Sequence, residues 1–219
     1  MQEHVDERRQ KINLETWERH ALFDFFRVFS EPYHGVCIRV DCTATYNYAK
    51  EHDLSVFLSL LHRSLVAAQR IDNFRTRIVE GTVWLYEEVN GGSAVGRSNG
   101  TIGFAHYRYR KCIEEFVGEA SVEVERVRQR DDLERSAEAN LIRYSTLPWF
   151  DFTSISHARD FSKDDSAPQI TFGKITETDG RRTMPVSIHV HHALADGLHV
   201  AQFIDHFQQL LDAPDSQPV

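Results

Sequence analysis

Two adjacent histidines, His191 and His192, stand just before Asp196 and Gly197 in the segment HVHHALADGLHV, residues 189–200. Imidazole is the side chain whose ordinary pKa, about 6.5, lies nearest neutrality, so a placed histidine can accept and return a proton at working pH. The apolar run PVSIHV leads into the pair as a strand, and a short turn through Ala195, Asp196 and Gly197 follows it. A sheet holds such a strand end rigidly, while the loop beyond leaves it exposed to substrate. A lone histidine at a strand end is usually structural. The full HHxxxDG pattern is rarer, arising by chance on the order of once in several thousand chains of this length. Three chemistries compete for it. Asp196 could orient His192 as in a catalytic triad. His191, His192, Asp196 and His199 could ligate a metal. His192 could act as a base without either. The strand before the pair and Gly197 after it argue against the helix that i, i+4 zinc ligands need, and HExxH is absent, so no metal site is expected.

The elements that must position this segment are readable from periodicity. GVCIRVDCT alternates Val36, Ile38, Val40 and Cys42 against Arg39 and Asp41, a half-buried strand. SVFLSLLHRSLVAAQRI carries Val56, Leu60, Leu61, Leu65 and Ala68 at helical spacing, with Ser55 placed as its cap. FRTRIVEGTVWLYEEV reads as two strands around Glu80-Gly81, and TIGFAHYRY as a further strand. A helix with Ile113, Phe116, Val117, Ala120, Val124 and Val127 as its stripe comes next. Its polar end, RVRQRDDLERSAEAN, reads as solvated helix end and loop. NLIRYST is a strand broken at Pro148. QITFGKI and MPVSIHV flank the turn Thr178-Asp179-Gly180. HVAQFIDHFQQLL closes the chain as an amphipathic helix. The expected fold class is α+β, a two-layer sandwich of one large mixed β-sheet and packed helices, formed by a single domain over residues 1–219.

Composition narrows the function. Of 219 residues, 41% are hydrophobic and 26% charged, as in ordinary soluble domains. A formal charge of -8 disfavours nucleic acid as a partner. No apolar run is long enough for a membrane span, and the polar N-terminus carries no secretory signal, so a cytoplasmic location is expected. Cys37, Cys42 and Cys112 are odd in number and fit no metal template, which implies reduced thiols.

HHALADGLHV resembles the signature of the chloramphenicol acetyltransferase family. Three further segments agree in the same order. TWERHALFDFF resembles the family's Trp-x-Arg segment, STLPWFDFTS its Ser-x-x-Pro-Trp segment, and APQITFGK its Ala-Pro-x-x-Thr-x-x-Lys segment. The resemblance runs from about Leu14 to Leu211. It implies a CoA-dependent acyltransferase fold and transfer of acetyl from acetyl-CoA, a cosubstrate rather than a resident cofactor, to a hydroxyl of chloramphenicol or a related small acceptor. It implies His192 as general base, oriented mainly by its own backbone. Ser145 is implied as the hydroxyl donor to the tetrahedral oxyanion, with Thr171 supporting it through bound water. Asp196 becomes the ion-pair partner of Arg19 rather than a relay. Phe25, Phe26, Ile102, Ile155 and His157 fall at acceptor-pocket positions. Common members carry Phe, Phe and Leu at the last three, which puts chloramphenicol itself in question as the acceptor. Lys174 falls near the coenzyme phosphates. The family forms homotrimers with each active site at a subunit interface. A different acceptor, a dihydrolipoyl acyltransferase domain, and a non-catalytic trimeric binding protein of the same fold are the competing readings.

Overall fold

The computed structural model describes residues 8–134, 136–159 and 165–215. In chain order its elements are β1 (Arg9–Lys11), α1 (His20–Phe26), β2 (Tyr33–Asp41), α2 (Thr43–Glu51), α3 (Val56–Gln69), α4 (Asp72–Arg75), β3 (Thr76–Val79) and β4 (Thr82–Tyr86). They continue with β5 (Asn90–Gly96), β6 (Ile102–Tyr107), α5 (Ile113–Arg128), β7 (Leu141–Thr146), β8 (Gln169–Phe172), β9 (Thr176–Thr178), β10 (Arg181–His191) and α6 (Gly197–Asp212).

The larger sheet runs β2-β10-β8-β7-β5-β6, with β9 paired to the start of β10. The β5–β7 and β7–β8 pairs are parallel and the others antiparallel, so the sheet is mixed and the α+β expectation holds. Helices α3, α5 and α6 pack on one face. Ile142, Tyr144, Ile170, Phe172, Val186, Ile188 and Val190 point into that core. Because side chains alternate along a strand, the residues between them, including Ser145, Thr171, Ser187 and His189, face away from the helices.

Both expected hairpin turns form. Glu80 and Gly81 have φ of 50° and 71°, Asp179 and Gly180 51° and 76°. Two successive left-handed residues match the twist of flanking strands, and Gly supplies the second at no steric cost. The first hairpin does not join the large sheet. With β1 it makes a separate three-stranded sheet, β1-β4-β3. Ser55 caps α3 as expected, accepting from the Leu58 N–H at 3.4 Å. That helix is not amphipathic, however. Residues Leu58 to Ala68 are all buried, Ser59, His62, Arg63 and Ser64 included, because neighbours enclose it.

QITFGKI is not one strand. Pro185 of β10 turns toward it and has no N–H to donate, so the ladder breaks between β8 and β9. Gly173 fills the break, donating to the Pro185 carbonyl at 2.9 Å. A Cβ there would stand 2.5 Å from Pro185 Cγ.

A second, smaller core explains how the histidine loop is held. Phe23 of α1, Ile78 and Val83 of the three-stranded sheet, and Ala193 and Leu194 of the loop bury one another. The small sheet and α1 therefore form a seat for the chain just after β10.

Candidate active site

His192 follows the end of β10, and its N–H donates to the Pro32 carbonyl at 2.7 Å. Its ring lies flat on Phe26, with centroids 3.9 Å apart and planes at 6°. His34 flanks it at 4.4 Å. Nδ1 of His192 is buried with no hydrogen-bond partner. The ring is therefore held by stacking, not by a bond to its own backbone. No bond links it to Asp196 either, which removes the triad geometry.

Arg19 fixes the loop instead. Its Nη1 donates to Asp196 Oδ2 at 2.7 Å, its Nη2 to the His192 carbonyl at 2.9 Å, and its Nε to the Ala193 carbonyl at 3.3 Å. One guanidinium thus ties the histidine's backbone to the carboxylate beyond it. The ion pair implied by the resemblance is present, and the Arg19 side chain is 10% exposed. Burial alone would raise the Asp196 carboxyl. The hydrogen bond from Arg19, the charges of His199 and Arg19 and the Leu198 N–H hold it below the usual carboxylate range.

Asp196 also caps α6, accepting from the Leu198 N–H, while His199 Nδ1 accepts the Asp196 N–H at 3.1 Å. This is a capping box with histidine in the place Glu or Gln usually takes. It gives His199 a structural role that the sequence did not reveal. His191 packs edge-on to Tyr33.

The other site residues form a separate group. Ser145 and Thr171 are paired across β7 and β8, and Thr171 faces Ser187 across β8 and β10. Thr171 is fully buried, with Oγ1 3.4 Å from His157 Nε2. Burial, with the nearby Arg159 charge, lowers the His157 pKa. Ser145, Thr171 and His157 line a cavity of about 690 Å³ on the face of the sheet opposite the helices. Of the expected pocket residues only His157 reaches it. Phe26 lies against His192, while Phe25 and Ile102 are exposed, at 59% and 48%, and Ile155 is half-buried outside this cavity. Lys174 is exposed between β8 and β9.

His192 lies five residues past Ser187 on β10, and Ser145 two strands across. At about 3.3 Å per residue and about 4.8 Å per strand the two Cα atoms are roughly 19 Å apart. Within one chain they cannot touch the same carbonyl. No three of His, Cys, Asp and Glu among the described residues stand together as a metal site, and no described helix is long and apolar enough to cross a membrane.

Sequence reasoning missed His34, His189 and the arginines of the cavity. His34 is opposite Val190 in the β2–β10 register, and only strand pairing brings it to His192.

A profile described as chloramphenicol acetyltransferase matches residues 8–208. The chloramphenicol acetyltransferase of Clostridioides difficile is 25% identical, over 92% of this chain and 95% of that protein. A solved chloramphenicol acetyltransferase structure superposes with a TM-score of 0.85 at 29% identity, over 93% of this chain and all of the other. The cubic core of a pyruvate dehydrogenase multienzyme complex, 18% identical over 83% of this chain and 82% of its own, shares the fold with a TM-score of 0.61.

Proposed function

The chain belongs to the chloramphenicol acetyltransferase family and is an acyltransferase, and from that premise we propose that it moves acetyl from acetyl-CoA to the hydroxyl of a small acceptor, with His192 as the base. The observation that carries the reading is the Arg19 clamp, which holds the His192 backbone through its own carbonyl and through Asp196. With Nδ1 enclosed and the ring pressed on Phe26, Nε2 is the nitrogen that meets substrate.

In this mechanism Nε2 takes the proton from the acceptor O–H as that oxygen bonds to the acetyl carbonyl carbon. The Ser145 hydroxyl donates to the oxyanion that forms, and Thr171 supports it. The tetrahedral intermediate then collapses, the C–S bond breaks, and the imidazolium returns its proton to the leaving thiolate. The products are the acetyl ester and free coenzyme A. Lys174, exposed at the edge, is assigned to the coenzyme phosphates.

His192 and Ser145 serve one reaction only if they come from different copies of the chain. We therefore propose active sites that lie between subunits, in a homotrimer as the family resemblance implies. The exposed apolar side chains on and just after α1, Leu22, Phe25 and Phe29 among them, suit burial against a neighbour.

Thiol release from acetyl-CoA, with chloramphenicol and other primary and secondary alcohols as acceptors, tests the activity. No release with any acceptor overturns it. Light scattering should give about three times the 25.3 kDa chain mass. Co-expressed His192→Ala and Ser145→Ala chains should recover activity that neither has alone, because some mixed sites then hold both intact residues. Failure to recover, with mixed trimers demonstrated, overturns the shared site.

A further inference from the structure

The cavity that holds Ser145 and Thr171 is also lined by three arginines, Arg77, Arg143 and Arg159. They differ in how their charge is met. Arg143 pairs with Asp165. Arg77 is wholly enclosed and bonds no carboxylate among the described residues. It donates instead to four carbonyls, those of Ala139, Phe74, Thr76 and Leu141, at 2.8–3.1 Å. Burial pushes its pKa down to about 10, so it keeps its charge at neutral pH.

Arg159 is the one left open. Its guanidinium lies over the Tyr33 ring, Cζ 3.6 Å from the centroid. The Tyr33 hydroxyl donates to the carbonyls of Asp165 and Ala167, which fixes the ring beneath it. Both Nη nitrogens of Arg159 are closed off from bulk solvent and have no acceptor in hydrogen-bond geometry, the Tyr33 hydroxyl being the polar group that approaches the guanidinium. A buried donor left unfilled costs free energy, and a guanidinium's costs more. Arg159 lines the same cavity as Ser145 and Thr171, and its charge helps lower the pKa of His157, which touches Thr171. Among the described residues the carboxylates lining the cavity are Asp165, held by Arg143, and Glu138, bonded by the Asn90 amide, and neither is bonded to Arg159.

We propose that the acceptor of this acetyltransferase carries an anionic oxygen group, a carboxylate or a phosphate, which Arg159 binds in the cavity that also holds Ser145 and Thr171. The inference rests on the acetyl-transfer reading above and names its substrate class. A planar guanidinium suits either anion through two parallel N–H···O bonds. The coenzyme's own phosphates are a full pantetheine arm from its thioester. An anion held in the cavity with Ser145 therefore belongs to the acceptor. Chloramphenicol, which is neutral, leaves Arg159 unfilled.

Matched acceptors test this: benzyl alcohols bearing a para carboxylate, a para phosphate or the methyl ester of the carboxylate. The full chain is assayed by thiol release, and binding of each compound is titrated by calorimetry, for wild type, Arg159→Gln and Arg159→Lys. An anionic acceptor should exceed the ester at least about tenfold in kcat/KM, as one charged hydrogen-bonded contact allows. Arg159→Gln should erase that preference, and Arg159→Lys should recover part of it. The better of the two anions identifies the group. Equal rates for anion and ester, or a preference that survives in Arg159→Gln, overturns the proposal. So does an equal loss on all acceptors with a fall in oligomer mass, which makes Arg159 an ion-pair residue between copies. If no compound releases thiol, the acetyl-transfer reading fails by itself, and the titration alone decides whether Arg159 binds the anion.

Discussion

The loop after β10 and the cavity on the open sheet face treat their polar groups in opposite ways. The loop satisfies most of its polar groups internally. Arg19 holds a carboxylate and two carbonyls, Asp196 caps α6, His199 returns to the Asp196 N–H, and Ala193 and Leu194 are buried in the small core. The cavity leaves several of its polar groups without partners. Both Nη nitrogens of Arg159, both ring nitrogens of His106 and the Gln169 Oε1 are buried without partners. A self-satisfied region is preorganised and pays little to hold a reactive side chain in place. A region of unfilled donors and acceptors is complementary to something that arrives.

The comparison breaks most sharply at His192. His192→Ala should lower kcat by about 10²- to 10⁴-fold at unchanged melting temperature, since the base works in the transition state and Arg19 clamps only its backbone. A variant that keeps a tenth of the wild-type rate, or that loses the trimer, means that His192 is structural.

Ser145→Ala should cost about 10²-fold in kcat with little change in stability, the loss seen when one oxyanion donor is removed. A drop in stability that explains the drop in rate would put Ser145 with the self-satisfied region instead.

The clamp should show the reverse balance. Arg19→Val strands Asp196 and two carbonyls, a loss of about 3 kcal/mol and roughly 6–12 °C in melting temperature for a chain of this size. Asp196→Asn should be milder, about 1–2 kcal/mol, because the side chain is 31% exposed and Asn still caps the helix. The double variant should recover part of the Arg19→Val loss. Strictly additive melting losses, with the rate defect confined to Asp196→Asn, would restore the relay reading.

Acid should separate the regions with the smallest effect. His189 has its pKa lowered to about 4, first by burial and then by the charges of His157, Arg159 and His34. Between about 6.5 and 4 an unfolded histidine takes a proton that the folded one refuses, so stability falls as pH falls through that window. Asp196 acts lower. Its folded pKa is depressed, so its contribution is complete above the unfolded value of about 3.9 and is lost only as pH falls through the folded pKa below it. Melting temperature against pH should therefore slope between pH 6.5 and 4 in wild type and less steeply in His189→Gln, where the lowered pKa values of His34, His62 and His157 keep part of the slope. An unchanged slope in the variant removes His189 as its source.

Local chemistry was legible in the chain itself. HHxxxDG, the two turn dipeptides, the Ser55 cap and the helical stripes all depend on neighbours within a few residues, and that is the range over which periodicity and turn chemistry act. Even there the signal failed for Asn90–Gly96. This glycine-rich segment has almost no strand propensity, yet it becomes β5 because β6 and β7 pair with it on either side. The Arg19–Asp196 pair was visible only through resemblance, since nothing local distinguishes Arg19 from a solvated helix residue. The separate three-stranded sheet, the capping role of His199, the meeting of His34 with His192 and the place of Arg159 in the cavity were decided by strand order and helix packing. So was the distance of roughly 19 Å between His192 and Ser145. Pairing across strands joins residues more than a hundred positions apart, and a sequence pattern carries the period of each strand but not the identity of its neighbour.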